Sequence, residues 1–238
     1  METSGIDQRR RELLNSLRFA RGEYLHNRAS QLSGIPGSTL YEWARNRVYV
    51  PDFANDGPMA WSYRDLVYLR LLAWLRQVGM DRSVASAQVT RLKLEFSSGE
   101  VAWRLFADRN HLIADDERTS RTNGQNILPF EDLSDLFRNF NIEEPIRELR
   151  SNPKGVWGPD LVTPSEFTTI VPSVMAGDPC VVETRIPTAT IFALRIERGL
   201  SSEQVVELYP DLSIASANDA YSLEVKLRGS DRTDAFAA

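Results

Sequence analysis

The sequence is poor in the residues that build disulfides and metal centres. It has one cysteine, Cys180, and two histidines among 238 residues. A single cysteine cannot form an intramolecular disulfide, so we predict a reducing compartment, the cytoplasm. No run of about 18 apolar residues occurs, which argues against a membrane-spanning helix. The first residues, METSGIDQRRRELL, lack the apolar core of a signal peptide.

Candidates for catalytic residues are also scarce. His26 and His111 have no metal-ligand spacing, and no cysteine–histidine pair or glycine-rich phosphate loop is indicated. The run Asp115-Asp116-Glu117 could hold a divalent metal for nuclease chemistry, but such a run is typical of a solvated polar loop. We therefore predict that the protein is not an enzyme and carries neither a metal nor a cofactor.

Charge is unevenly distributed along the chain, whose net charge is −5. Residues 1–110 contain 16 Lys+Arg against 12 Asp+Glu, a net charge of +4. Residues 111–170 contain 6 against 11, which gives −5, and residues 171–238 contain 6 against 10, which gives −4. A basic front and an acidic back suggest two different partners, although uneven solvated charge explains the same pattern.

Periodicity and turn residues predict a mainly α protein with small β elements. We predict three parts: a helical first part over residues 1–97, a middle segment over 98–160, and a last part over 161–238. In the middle segment we expect a helix over 98–108, a strand over 111–115, a helix over 129–140, and a linker over 150–166. The last part is predicted to form a short β-hairpin followed by helices near 188–198, 202–208 and 213–228.

The stretch RASQLSGIPGSTLYEWARN, residues 28–46, predicts two short helices joined by a tight corner at Ile35-Pro36-Gly37. Leu40, Trp43 and Ala44 would pack on the first helix, and Ser38 or Thr39 would cap the second. The other side of the second helix then carries polar and basic groups, which suits a DNA major groove. A plain helical hairpin is the alternative.

The flanking sequence strengthens the DNA-binding interpretation. A strand–turn–strand wing is predicted in RVYVPDFANDGPMAWSY, and a leucine-rich helix in YRDLVYLRLLAWLRQVG ends at Gly79. Residues 23–97 thereby resemble the MerR-like winged helix-turn-helix regulators. The resemblance implies that bases or phosphates of operator DNA are contacted by Ser38, Thr39, Tyr41, Arg45 and Asn46. It also implies backbone contacts by Arg47 and Arg64.

The sequence departs from MerR regulators after Phe96, where no sustained heptads follow. Dimerisation, or assembly into a higher oligomer, must therefore come from elsewhere, and the effector chemistry of that family is not carried over. A ligand-sensing MerR-like regulator with the middle segment as its sensor stays open as an alternative. Trp103, Phe106, Trp157 and Phe167 are the aromatic residues that could line such a sensor pocket.

The last part contains Gly177-x-Pro179, Thr184-Arg185-Ile186, Gly199 before Ser201-x-Glu203, and Tyr209-Pro210. These features resemble a small bacterial trihelical domain of unknown function in the wider helix-turn-helix group. Proteins with this domain are often antitoxins of PIN-type ribonuclease toxins. Joined to a MerR-like front, it resembles a VapB-type antitoxin. The resemblance implies a type II antitoxin that inhibits a PIN-type ribonuclease and represses its own operon.

The final helix has more apolar surface than a unit of three short helices can cover. One stripe consists of Ile214, Ala217, Tyr221 and Val225, and a second beside it of Ala220, Leu223 and Leu227. Because an over-wide apolar surface often marks an interface, we predict that the first stripe binds the toxin. Arg228, just before the flexible Gly229-Ser230 exit, is also predicted to bind the toxin, and the tail is predicted to reach its catalytic carboxylates through Arg232. A disordered tail with no role is the alternative. Contact with the middle segment or with a second subunit is the alternative.

Overall fold

The computed structural model describes residues 13, 15–54, 58–98, 104–107, 112–115, 133–142 and 156–231; for residues 98, 104–107, 112–115, 133–134, 156 and 230–231 it describes the backbone. The protein is mainly helical with small two-stranded sheets, which confirms the predicted fold class. The described helices are α1 (His26–Ser33), α2 (Gly37–Arg45), α3 (Tyr63–Gln77), α4 (Arg82–Ser98), α5 (Thr188–Glu197), α6 (Ser202–Leu208) and α7 (Ile214–Asp231).

Short antiparallel pairs of strands connect these helices. Strand β1 (Tyr24–Leu25) pairs with β2 (Ala60–Trp61), β3 (Arg104–Ala107) with β4 (Leu112–Asp115), β5 (Phe140–Ile142) with β6 (Val156–Gly158), and β7 (Thr168–Thr169) with β8 (Cys180–Val181). A 3₁₀ turn at Leu133–Phe137 precedes β5.

The two short helices of the corner form as predicted, and α1 ends at Gly34 in the left-handed conformation, with φ of 80°. The corner is fixed by α1 itself, because the Ser30 hydroxyl donates to the Ile35 carbonyl over 2.7 Å. The predicted cap is wrong: α2 begins at Gly37, Pro36 occupies the N-cap position, and no side chain caps the helix.

Helix α3 is buried on several sides, which fits its largely apolar composition. Ser62 and Asp65 form a capping box at its start, and Gly79 follows its end with φ of 89°. Asp81 precedes α4 and accepts a hydrogen bond from the Ser83 backbone N–H (2.8 Å).

The middle segment departs from the predictions. Residues 104–107 form a strand rather than part of a helix, and the pairing with β4 explains the difference because a helix cannot supply that ladder. Most of the helix predicted over 129–140 lies outside the described residues or is replaced by the 3₁₀ turn and β5. The segment predicted as a linker contains β6 and buries Leu161 completely.

One large hydrophobic core contains residues from both the first and the last part of the chain. The buried residues of α1, α2, α3 and α4 form a single cluster with Leu161, Ile170, Leu223 and Leu227. A second, smaller cluster lies between α5, α6 and α7 and comprises Val181, Ile191, Val205, Leu212, Ala217 and Ala220. Helix α7 therefore belongs to both cores. Each fully buried leucine contributes about 1.5–3 kcal/mol, which fixes α7 against the front part.

Gly34 lies where β6 passes closest to the corner between α1 and α2. A Cβ at Gly34 would stand 2.7 Å from the Trp157 carbonyl carbon, closer than real Cβ atoms approach. Gly79 has a similar left-handed conformation, with φ of 89°, but a Cβ at Gly79 would have no neighbouring atom within 4 Å. The two glycines therefore share a conformational requirement and differ in steric space.

We expect Gly79→Ala to lower the free energy of unfolding by about 1–2 kcal/mol, the cost of a left-handed alanine. Gly34→Ala should lower the free energy of unfolding by this amount plus roughly 1–3 kcal/mol, because β6 must move away from the corner. Urea unfolding of the two variants measures the difference directly. Equal losses would show that the close approach of β6 has no energetic consequence.

Candidate nucleic-acid interface

Helix α2 presents a polar and basic surface on a base that packing holds in place. Leu40 and Trp43 are buried together with Ala29, Leu32 and Ile35, as the periodicity predicted. On the opposite side, Ser38, Tyr41, Arg45 and Asn46 are exposed, and Tyr41 retains 55% of its accessible surface. A rigid helix with exposed side chains of this kind can enter a major groove and contact base edges.

Thr39 does not belong to this exposed surface. The residue is buried, with only 3% of its surface exposed. The predicted contact of Thr39 with DNA is therefore corrected: it lies one position away from the face that carries Ser38 and Tyr41.

Arg47 follows α2 in a conformation that favours glycine. Its φ is 54°, and the Val48 N–H donates to the Trp43 carbonyl over 2.8 Å, which closes the helix end. A left-handed non-glycine residue costs about 1–2 kcal/mol. The arginine side chain is exposed here. Backbone strain is often retained where a side chain serves a function.

The predicted wing forms only in part. Phe53 and Ala60 make an isolated antiparallel bridge, whereas β2 pairs with β1 rather than with a strand that precedes the turn. The physical reason is that the Asp52 N–H donates to the Asp65 carboxylate (2.9 Å), so it is not available for a hydrogen bond between strands. Residues 55–57 lie outside the described residues.

Asp65 is the buried anchor of this turn. Its carboxylate has no exposed surface and accepts hydrogen bonds from the backbone N–H groups of Ser62 (2.8 Å) and Asp52 (2.9 Å). The Tyr49 hydroxyl and Lys93 Nζ each donate to it over 2.6 Å. Burial, together with the Asp65 charge, raises the pKa of Tyr49 well above its usual value. Asp65 thus holds the segment after α2 against α3 and α4.

Arg64 has a structural partner instead of a free guanidinium. It binds both carboxylate oxygens of Asp52, at 2.7 and 2.8 Å, and donates further to the Arg18 carbonyl and the Ser97 hydroxyl. Burial raises the pKa of Asp52, but the hydrogen bonds from Arg64 and the charge of Lys93 outweigh it and hold the pKa well below its usual value. The predicted phosphate contact of Arg64 is therefore corrected, because four of its five N–H donors are engaged within the protein and its side chain is only 14% exposed.

The predicted toxin-binding residues on α7 fall into different environments. Ile214 and Val225 are exposed by 46% and 45%, and Tyr221 is half-buried. Ala217 is completely buried in the small core, so it is removed from the predicted contact surface. The second stripe, Ala220, Leu223 and Leu227, is covered within the chain. Arg232 lies outside the described residues, as do the side chains of Asp115, Asp116 and Glu117.

Sequence reasoning missed a buried ionic cluster between α1 and α7. Arg28 binds Glu224 (2.7 Å) and Asp178 (2.6 Å), and Glu224 also accepts from the Thr188 hydroxyl (2.6 Å). Burial raises the pKa of Glu224, but the charge of Arg28 and its hydrogen bonds outweigh it and lower the pKa below its usual value. The sequence held one sign of this cluster, because Glu224 lies between the apolar residues Leu223 and Leu227. A carboxylate on an apolar helix face is rarely buried without a partner of opposite charge.

Among the described residues, no group of three or more His, Cys, Asp or Glu side chains is arranged to hold a metal ion. In the same part of the chain, no helix combines the length and the apolar content that crossing a bilayer requires.

The match to known proteins falls on the three helices at the end of the chain. Residues 169–222 match the family described as "Protein of unknown function (DUF433)". The DUF433 match covers less than half of the chain and includes β8, α5, α6 and the first half of α7. Comparison with curated proteins and with solved structures gave no significant match.

Proposed function

We propose that the protein binds operator DNA through α2 and the turn that follows it, and that it acts as an antitoxin. The single observation that carries the DNA-binding part is the exposed row of Tyr41, Arg45, Asn46 and Arg47 on a fixed base. The left-handed conformation of Arg47, which a glycine would adopt at lower cost, supports a use for its exposed side chain.

The antitoxin part is supported by the match of residues 169–222 to DUF433 and by the resemblance of the sequence to VapB-type antitoxins. In this proposal the segment binds and inhibits a PIN-type ribonuclease, while α2 represses the operon that encodes both proteins. The protein itself is non-catalytic and needs no cofactor. Such a role requires the cytoplasm. One short recognition helix gives little specificity, so we expect the DNA-bound form to be a dimer or a higher oligomer.

The DNA-binding part is tested by Arg47→Gly. Removal of the strain should leave the free energy of unfolding unchanged or raise it, whereas loss of the guanidinium should weaken binding to the region upstream of the gene. We expect the slope of log affinity against log salt to fall by about 1, as for one lost phosphate contact. Arg45→Ala should cost about 1–3 kcal/mol of binding free energy, the range for a base-edge contact.

Arg198→Ala is the matched control, because Arg198 is equally exposed but lies at the end of α5. It should leave DNA affinity and the salt slope unchanged. Fluorescence anisotropy with a labelled upstream fragment at several salt concentrations provides both quantities. Unchanged binding by an Arg45→Ala/Arg47→Gly double variant would contradict the assignment of α2 as the recognition helix.

The antitoxin part is tested by co-expression with the product of the neighbouring gene. We expect a stable complex in which ribonuclease activity is suppressed. A protein that purifies alone, gains no partner on co-expression and changes its melting temperature with a small molecule would instead favour the ligand-sensing regulator.

A further inference from the structure

Two arginines and two aromatic rings form a continuous stack on the outer surface of α5 and α7. The Arg195 guanidinium carbon lies 4.0 Å from the Tyr221 ring centroid, and the Arg228 guanidinium carbon 4.3 Å from that of Phe192. The two rings are stacked, with centroids 5.8 Å apart and an interplanar angle of 18°. The contacts thus run in the order Arg195, Tyr221, Phe192, Arg228, which we call the arginine–aromatic ladder.

The ladder holds its guanidinium groups in place and leaves donors available. Arg195 donates to the neutral Asn218 amide oxygen over 3.0 Å and has no carboxylate within ion-pair distance among the described residues. Arg228 uses Nε for Glu224, at 3.2 Å, and its side chain is 44% exposed. Within the part of the chain that the structure describes, the terminal nitrogens of Arg228 have no hydrogen-bond partner.

Stacking on rings reduces the freedom that these arginines would lose on binding, which favours an interaction site. Arginine and tyrosine are also the residues that most often carry binding energy in protein interfaces. Val225, 45% exposed on the Tyr221 side of α7, adds apolar surface beside the ladder. Helix α7 therefore retains an interaction surface although its second apolar stripe is covered.

The chemistry of the ladder indicates what it binds. Each guanidinium edge can bind a carboxylate in a bidentate manner. Residues 171–238 contain 6 Lys+Arg against 10 Asp+Glu, so the two arginines are not part of the continuous basic surface that follows a phosphate backbone. Two isolated arginines separated by two rings suit a protein segment with carboxylates at intervals and apolar groups between them.

We propose that the arginine–aromatic ladder is the docking surface for an acidic segment of a partner protein. The identity of this partner rests on the proposed antitoxin function, in which the partner is the ribonuclease. The ladder, rather than the buried stripe of α7, then supplies the contact. Glu224 binds both Arg228 of the ladder and Arg28 of α1. One carboxylate therefore connects the docking surface to α1, the helix that precedes the proposed recognition helix α2.

The first arm of the test uses the full chain with isotope-labelled arginine side chains and two simple probes. Hexaglutamate should shift the Nε–H resonances of Arg195 and Arg228 in a saturable, salt-sensitive manner, and hexathymidylate should not. Arg195→Gln/Arg228→Gln should abolish binding of hexaglutamate. Arg185→Gln/Arg198→Gln, which removes the same charge from positions outside the ladder, should leave it intact. A stronger response to hexathymidylate overturns the proposal in favour of a nucleic-acid surface.

The second arm uses the ribonuclease from the neighbouring gene. We expect the ladder variant to raise its dissociation constant at least about 30-fold and the control variant less than about 3-fold. Arg195→Lys/Arg228→Lys, which keeps charge and loses the planar fork, should give an intermediate value. A thermal melt of each variant verifies that the fold is retained.

The two arms separate the failure of the ladder from the failure of the antitoxin function. If the ribonuclease binds wild type and ladder variant equally, the ladder proposal is overturned and the antitoxin function stands. If the ribonuclease does not bind at all, the antitoxin function is contradicted, and the hexaglutamate arm alone decides the ladder. Absence of ladder-dependent binding in that arm then overturns it.

Discussion

Arg28→Met is expected to lower the free energy of unfolding by about 3–5 kcal/mol, the usual cost of breaking a buried ion pair. Arg28 is the cation of the cluster between α1 and α7, and its partner Glu224 has no exposed surface. Without Arg28 the Glu224 carboxylate remains buried with only the Thr188 hydroxyl and the more distant Arg228 guanidinium to compensate it. Chemical unfolding at neutral pH measures the loss.

Two further variants separate this effect from lost packing. Arg28→Met/Glu224→Met removes both charges and should be more stable than Arg28→Met alone, because no uncompensated carboxylate remains. Arg82→Met also removes an arginine that pairs with a glutamate, Glu42 at 3.3 Å, but both side chains are about half exposed. We expect it to cost less than about 1 kcal/mol. Equal losses in Arg28→Met and Arg82→Met would contradict the role of the cluster.

The same cluster predicts a dependence on pH. The pKa of Glu224 is lower in the folded protein than its usual value, because the charge and hydrogen bonds of Arg28 outweigh burial. Its stabilising contribution is therefore complete above the unfolded-state pKa, about 4.3, and is lost as pH falls through the lower folded-state value. In Arg28→Met the sign should reverse, since protonation now neutralises a buried charge. The difference in stability between wild type and Arg28→Met should therefore shrink between pH 7 and pH 4.

Arg70→Ala is the second variant for which we expect a large effect, a loss of about 3–5 kcal/mol in the free energy of unfolding. Hydrogen bonds from a charged donor contribute roughly 1.5–3 kcal/mol each, from which the cost of desolvating the arginine is subtracted. The Arg70 side chain is completely buried on α3 and donates to five backbone carbonyls. These belong to Leu32, Ser33, Leu136, Arg138 and Pro159, at 2.6 to 3.3 Å. Burial without a carboxylate partner lowers the pKa of Arg70 to about 9, so it stays charged at neutral pH.

The carbonyl partners of Arg70 explain why the loss extends beyond local packing. They join the end of α1, the 3₁₀ turn before β5 and the residue after β6, three segments that are far apart in the sequence. Arg70→Lys should restore only part of the stability, because an ammonium group has three donors and no planar fork. Differential scanning calorimetry of both variants provides the comparison. Full rescue by lysine would indicate that charge alone, and not the number of carbonyls bound, is responsible.

Local elements were predictable where neighbouring residues decide them. The periodicity of Leu40 and Trp43 places α2 correctly, and the turn residues place the boundaries of α3, α5 and α6. The predictions failed where a distant strand competes with local preference. The stretch over 104–107 has helical composition, yet it forms a strand because β4 supplies a partner. The wing likewise lacks its predicted ladder because Asp65 takes the Asp52 N–H.

The residues of the candidate site also differ in whether local sequence or a distant contact decides their position. By itself the sequence determined that α2 has an apolar side and an exposed polar side, since a period of 3.6 residues depends only on positions three or four apart. Tertiary structure alone decided that Arg64 binds Asp52 and that Leu223 and Leu227 of α7 pack against the first part of the chain. It also decided that Arg28 meets Glu224 across 196 positions of sequence. Such pairs depend on the path of the whole chain through space, which no pattern of neighbouring residues contains.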